Sequence, residues 1–471
     1  MVKKWAAAAA AVLCVLQFVC FSVEGGYSPH LVKDLPGLPP VKYEQYAGYV
    51  TVNKANGRNQ FYWFITADNK DAASLPLAIW LNGGPGCSSV GNGLLGELGP
   101  FYVTRDKNMR VVLTPHKQSW VKAANIIFLE SPVGVGFSYS DTPSDYDTFT
   151  DARTAEDNLQ FLLGWLELFP EYKSNDFYLL GESYAGHYVP TFAREIVNYN
   201  DNKGPNDLYI NFKGFAVGNP WVDAYINNLG ATQWWRSHSL ISEATSEAVI
   251  KYCDFANDSP VLYNDTNGLC STALNTADAD MAYINPYSIY EATCNHPTGN
   301  FSQFARFKRK ERGVLRVGST LDPCAPDPVG PYLNSVPVKN AIHAKPDIIW
   351  SGCSDVVTAN YSGVDVKTSM LPIFTELSQK NLKMWIYNGD TDSVCPTTTA
   401  ELAIRALNFT VQIPWYPWNH SSQVGGFTEV YKELTYTTVR GAGHFVPYSQ
   451  PGRSLALFKH FLAGKPLPAF H

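Results

Sequence analysis

The 471-residue chain predicts an α/β fold, a mostly parallel sheet covered by helices on both faces. Three observations carry that prediction. Short apolar runs recur at 77–81, 125–129, 177–180, 212–217 and 383–387, amphipathic helical spacing lies between them, and the run at 177–180 passes through a tight Gly-x-Ser-x-Ala turn straight into a helix. Strands that alternate with helices are joined by crossovers, which put helices on both sides of a parallel sheet.

Met-Val-Lys-Lys, an apolar run over 5–19 and small residues near 22–26 read as a signal peptide over 1–25. Strands near 48–52 and 60–66 are joined by a polar stretch containing Asn56-Gly57, a hairpin signal. The run at 77–81 ends in a glycine-rich loop, Asn82-Gly83-Gly84-Pro85-Gly86. After the strand at 125–129, Ala152, Ala155, Leu159, Leu162, Leu163, Leu166 and Phe169 recur every three or four residues, so one helix face is buried. Between about 220 and 340 the alternation lapses, and four cysteines and three Asn-x-Ser/Thr sequons crowd together. That stretch reads as a disulfide-stapled cap inserted into one large domain, whose parts are 26–219 and 341–471. Strands at 383–387 and 436–440 close the sheet.

The turn after 177–180 has the pattern of a nucleophile elbow. Gly181 and Ala185 are small because backbone segments approach closely there, and Ser183 is lifted into a strained position from which it can attack. An ordinary strand–turn–helix with a chance serine fits the turn alone, so the partners decide. Such a hydrolase needs an acid and a histidine later in the chain, each at a strand end. The strand at 383–387 opens into Asn388-Gly389-Asp390-Thr391-Asp392, with either Asp a candidate, and that at 436–440 opens into Gly441-Ala442-Gly443-His444. His444 is placed to take the serine proton and return it to the leaving amine. The other nine histidines lack a strand-then-glycine context; His187, one turn past Ser183, is expected to point along its helix. The loop at 82–86 sits where this architecture puts its second oxyanion-hole amide, and no Gly-Lys-Ser/Thr follows that would cradle a phosphate.

Five motifs together resemble the serine carboxypeptidase family over about 35–467: Trp80-Leu-Asn-Gly-Gly-Pro-Gly-Cys-Ser-Ser89, Glu130-Ser-Pro-Val-Gly-Val-Gly-Phe-Ser-Tyr139, Gly181-Glu-Ser-Tyr-Ala-Gly-His-Tyr-Val-Pro190, Gly389-Asp-Thr-Asp392 and Gly441-Ala-Gly-His-Phe-Val-Pro447. The resemblance implies an α/β-hydrolase fold, a triad of Ser183, Asp392 and His444, and an oxyanion hole of the Gly84 and Tyr184 amides. It also implies a pocket for the substrate's terminal carboxylate, formed by Asn82, Gly83, Glu97 and Glu182. Two carboxyls brought close do not both ionise cheaply, so one keeps a proton to donate to the substrate, which favours acid pH. The loop carrying Glu97 is one residue longer than the family pattern, which bears on its placement. Phe445, beside His444, is expected to line the subsite of the released residue and to favour apolar side chains.

With its leader removed the chain keeps seven cysteines, which in an oxidising compartment read as three disulfides and one free thiol. The resemblance implies Cys87–Cys353, Cys253–Cys270 and Cys294–Cys324, leaving Cys395 free. Sequons at Asn257, Asn264, Asn300, Asn360, Asn408 and Asn419 fit the secretory route, with a vacuole, lysosome or the cell exterior as destination. A formal net charge of −6 with no basic aromatic cluster argues against nucleic acid. Neither Cys-x-x-Cys pairs nor a His-Glu-x-x-His helix suggests a metal, no cofactor is implied, and no membrane span is expected in the mature chain. Peptide or protein C-termini are the expected substrates; oligomeric state is not legible, and a homodimer stays open. An acyltransferase on the same scaffold and a non-catalytic protective partner are the rival classes. Asn82 and Glu182, which such acyltransferases tend to lose, argue against the first, and the full triad against the second.

Overall fold

The computed structural model describes residues 27–106, 108, 110–255, 267–293 and 327–470. The signal peptide, the sequons at Asn257, Asn264 and Asn300, the Cys294–Cys324 pairing and the basic run at 306–312 lie outside the described residues.

Thirteen strands are described: β1 (Gln45–Asn53), β2 (Arg58–Ile65), β3 (Leu77–Leu81), β4 (Phe101–Arg105), β5 (Val111–Pro115), β6 (Asn125–Leu129), β7 (Tyr139–Ser140), β8 (Phe177–Glu182), β9 (Phe212–Gly218), β10 (Lys383–Gly389), β11 (Val411–His420), β12 (Gln423–Tyr431) and β13 (Thr435–Val439). The main sheet has the order β1-β2-β6-β3-β8-β9-β10-β13-β12-β11, with β7 paired to β2. Its centre, β6 to β13, is parallel, and antiparallel strands flank it at both ends. The sheet is therefore mixed rather than parallel throughout. Gly57, at φ +67°, turns β1 into β2 at the Asn-Gly signal.

Central strands are buried on both faces, so they read as unbroken apolar runs, yet their side chains alternate between two cores. Ile79, Leu179, Phe215 and Ile386 join the core beneath the helices α1 (Asp151–Leu168) and α2 (Ala185–Asn202). Trp80, Leu180, Ala216 and Trp385 join the opposite core with Leu457, Phe458 and Phe461 of the helix Pro451–Ala463. Each such large side chain contributes about 1.5–3 kcal/mol of burial. On α1 the apolar stripe runs through Leu159, Phe161, Leu162, Trp165 and Leu166, while Ala152, expected in it, is exposed. The second turn also buries polar groups: Asp157 accepts from Arg58 Nη2 at 2.9 Å, and Asn158 Oδ1 accepts from Gln60 and Ser131.

Beyond β9 come α3 (Ala224–Ser237), α4 (Glu243–Tyr252) and α5 (Leu269–Asp280). They bury two small clusters of their own, Ile241 with Ala277 and Met281, and Val249 with Phe255 and Ala273. Cys253–Cys270 ties the end of α4 to the start of α5. Val329, Tyr332, Leu333, Val338 and Ile342 pack instead into the main core.

Two antiparallel hairpins have no counterpart in the sequence reading. β11 carries two prolines and is largely exposed, and its turn into β12 uses Ser421 and Ser422 at positive φ rather than Asn-Gly. The β4–β5 pair stands apart as a two-stranded sheet.

Candidate active site

Strands β3, β8, β10 and β13 are parallel, so their C-terminal ends share one edge of the sheet. The glycine loop, the elbow, the Asp loop and the His loop leave from those four ends, which is how residues far apart in sequence meet.

At the elbow Ser183 has φ +60°, in the left-handed region that a serine enters only when its surroundings impose it. Three backbone hydrogen bonds hold it there, Ser183 N to Gly218 O (3.0 Å) and both Gly186 N and Trp221 N to Ser183 O (2.9 Å each). A side chain at Gly181 would lie 2.6 Å from the Ala185 Cβ, so both small residues are sterically required. Ser183 keeps partial exposure while its neighbours are buried.

His444 is buried, and its Nδ1 donates to Asp392 Oδ2 at 2.7 Å. The same oxygen accepts from Asn219 Nδ2 (2.8 Å) and Cys395 N (3.1 Å), and Asp392 Oδ1 accepts from Val394 N (2.8 Å). Asp390, the rival acid, accepts from Gly441 N and braces the His loop from outside. The buried Cys395 thiol is pushed well above the usual range by burial and the Asp392 charge, so it stays neutral. His187 does not run along its helix. It turns inward, donates from Nδ1 to Asp151 Oδ2 at 2.8 Å and stacks on Tyr184 with ring centres 4.6 Å apart. Tyr184, whose hydroxyl also reaches Asp151, is buried in the core beneath α1 and α2.

The glycine loop lies directly over the elbow: a side chain at Gly83 would sit 2.3 Å from Tyr184 N, and Gly84 has φ +116°. Cys87–Cys353 anchors this loop, supported by Ser88 N to Gly352 O and Ser354 N to Gly86 O. Glu130 pins it from behind, accepting from Ser88 Oγ (2.7 Å), Ser89 N (3.1 Å) and Trp350 Nε1 (3.2 Å); burial raises its carboxyl to about 7.

Ser89–Leu98 is a π-helical segment in which every residue is buried, with Glu97 near its end. Asn82 Nδ2 donates to Glu97 Oε1 (2.9 Å) and to Glu182 Oε1 (2.6 Å), and Trp80 Nε1 fixes the amide by donating to Asn82 Oδ1 (2.7 Å). The extra residue in this loop therefore leaves Glu97 inside the cluster. Burial raises Glu97 to about 7 and, with the Glu97 charge added, raises Glu182 well above the usual range. The two carboxyls lie within hydrogen-bonding range of each other, and no other group donates to their Oε2 atoms.

Phe445 is nine-tenths buried, stacked on Tyr287 at 5.5 Å between ring centres. Tyr287 O also accepts from His444 N at 2.6 Å. Sequence reasoning missed Tyr287, Asn219, Asp151 and Glu130 as parts of this site. Asn219 and Glu130 carried a usable signal, because each directly follows a strand, β9 and β6, and Glu130 also opens one of the five motifs.

A family model described as serine carboxypeptidase matches residues 36–464. Serine carboxypeptidase-like 22 of Arabidopsis thaliana is 44% identical over 441 residues, 93% of each chain. Serine carboxypeptidase 24 of the same plant is 44% identical over 442 residues, 93% of this chain and 92% of its own. Among solved structures, Kex1, a prohormone-processing carboxypeptidase from Saccharomyces cerevisiae, superposes with a TM-score of 0.75 at 22% identity, covering 93% of this chain and 96% of its own, a likeness of fold.

Proposed function

Since the chain belongs to the serine carboxypeptidase family and is a hydrolase of that class, we propose the following roles for its residues. Ser183 attacks the carbonyl of the terminal peptide bond, His444 takes its proton and passes it to the leaving amine, and Asp392 holds the imidazole and stabilises its charged form. The amides of Gly84 and Tyr184 receive the oxyanion, a role supported by the approach of the glycine loop to Tyr184 N. Asn82, Gly83, Glu97 and Glu182 bind the substrate's terminal carboxylate, and the shared proton of the two glutamates donates to it.

The single observation that carries this reading is the buried Asn82–Glu97–Glu182 cluster, next to the nucleophile in sequence and joined to it through Glu182. An endopeptidase has no use for a buried acid pair there, whereas an exopeptidase must fix a free carboxylate at one distance from its serine. Because the donor is a proton on raised carboxyls, substrate binding weakens as pH climbs past neutrality and activity favours acid pH. Phe445 with Tyr287 presents aromatic surface beside His444, and the released residue is apolar by preference.

A cap over 220–340 is supported by the separate clusters of α3 to α5, and a secretory-route destination, the vacuole, lysosome or exterior, by the two bridges among the described residues. No helix among the described residues is long and apolar enough to cross a membrane. Labelling by a phosphonyl or sulfonyl fluoride tests the nucleophile: a single modified residue, Ser183, is expected, and modification of the Ser183→Ala variant at an equal rate would refute it.

A further inference from the structure

The triad proposed above depends on Asp392 holding His444 in one orientation, which it does only if its own carboxylate is fixed. His444 Nδ1 meets Asp392 Oδ2 at 2.7 Å, so whatever fixes that oxygen fixes the base.

Asn219 follows β9, is wholly buried and has φ +39°, a conformation that asparagine and glycine tolerate best. Its amide is fixed at both ends: Oδ1 accepts from Gly389 N (2.9 Å), while Nδ2 donates to Asp392 Oδ2 (2.8 Å) and reaches Cys395 O (3.2 Å). Its own N–H is held by Tyr387 O at 2.8 Å. Nδ2 therefore lands on the very oxygen that His444 uses. Among the described donors to Asp392, Asn219 is the one side chain besides His444, the others being the backbone amides of Val394 and Cys395.

We propose that Asn219 is a positioning residue of the reaction, which fixes the Asp392 carboxylate so that Oδ2 meets His444 Nδ1 in the orientation the proton transfer needs. A carboxylate held by one side-chain amide and two backbone amides does not rotate away from the histidine.

This rests on the triad reading, and the test separates the two. kcat and KM are measured separately with one peptide substrate. Asn219→Gly keeps the backbone conformation and removes the donor; its kcat falls about tenfold with KM little changed. Asn219→Ala serves if the glycine variant does not fold. An unchanged kcat, or a loss carried by KM, in a folded glycine or alanine variant overturns the proposal, as does failure of both to fold, which would make Asn219 a folding residue. Ser183→Ala run alongside guards the premise: activity in it refutes the triad, whereas an inactive Ser183→Ala beside an unchanged kcat refutes only the role of Asn219.

Discussion

Replacing both pocket glutamates, Glu97→Gln with Glu182→Gln, keeps the shape of the cluster and removes its titration. In the native pocket the two buried carboxyls are bridged by Asn82 at 2.9 and 2.6 Å. They titrate as a pair: burial raises Glu97 to about 7 and, with the Glu97 charge added, raises Glu182 well above the usual range, so the pair gives up its last proton above neutrality. If that proton is the donor to the substrate, kcat/KM for a free-acid peptide falls about tenfold per pH unit beyond its loss. The amidated twin offers no carboxylate and shows no such limb. In the double variant neutral amides donate at every pH, so the ratio of free-acid to amide activity becomes flat, while its acid-side value drops by a factor of about 10–100, the worth of one or two charge-assisted hydrogen bonds. The assay is kcat/KM for both peptides between pH 4.5 and 8.5. A native ratio already flat across that range, or a variant that keeps the native alkaline limb, would refute the shared proton as the carboxylate donor.

The same pair bears on stability. Glu97 is raised from 4.5 to about 7 on folding, so the folded chain binds more protons than the unfolded one across that window, and its contribution is present below pH 4.5 and lost as pH rises to 7, a change of roughly 3 kcal/mol. Thermal melts should show the double glutamine variant gaining on wild type as pH rises; a constant gap between them contradicts this. Ser183→Ala is expected to abolish hydrolysis with an unchanged melting temperature, since the side chain is partly exposed, and residual full activity would move the nucleophile elsewhere. Phe445→Glu should shift the ratio of kcat/KM for peptides ending in Leu and in Arg toward Arg, because an unpaired cation is costly against an aromatic wall; an unchanged ratio removes Phe445 from that subsite. Within 306–312 a basic run invites nicking, and reduced protein from the native source should then run as two pieces; a single chain after reduction counts against it.

The parallel centre was legible because β3 and β6 are buried on both faces and present continuous apolar runs with clean ends. The sheet's far edge was hidden by physics rather than by chance: β11 holds Pro414 and Pro417, faces solvent and turns through two serines, so neither its alternation nor its turn advertises a strand. Ser183, Asp392 and His444 could be found because each follows a strand and a small residue, the local mark of a loop at the sheet edge. Choosing Asp392 over Asp390 was beyond spacing, since the two differ only in which way a two-residue offset turns them: Asp392 inward to His444, Asp390 outward to Gly441. The inward turn of His187 was equally hidden, because it depends on Asp151 at the start of a different helix. Tyr287 was out of reach for the same reason: its contacts to His444 and Phe445 span more than 150 residues of chain and have no local pattern.

The most direct test of the account is mass spectrometry of one peptide and its C-terminally amidated twin incubated with the enzyme at pH 5. A ladder of products shortened one residue at a time from the free-acid peptide, a nearly intact twin and no ladder with Ser183→Ala are predicted. Internal fragments, equal trimming of both peptides, or a ladder that survives Ser183→Ala would contradict it.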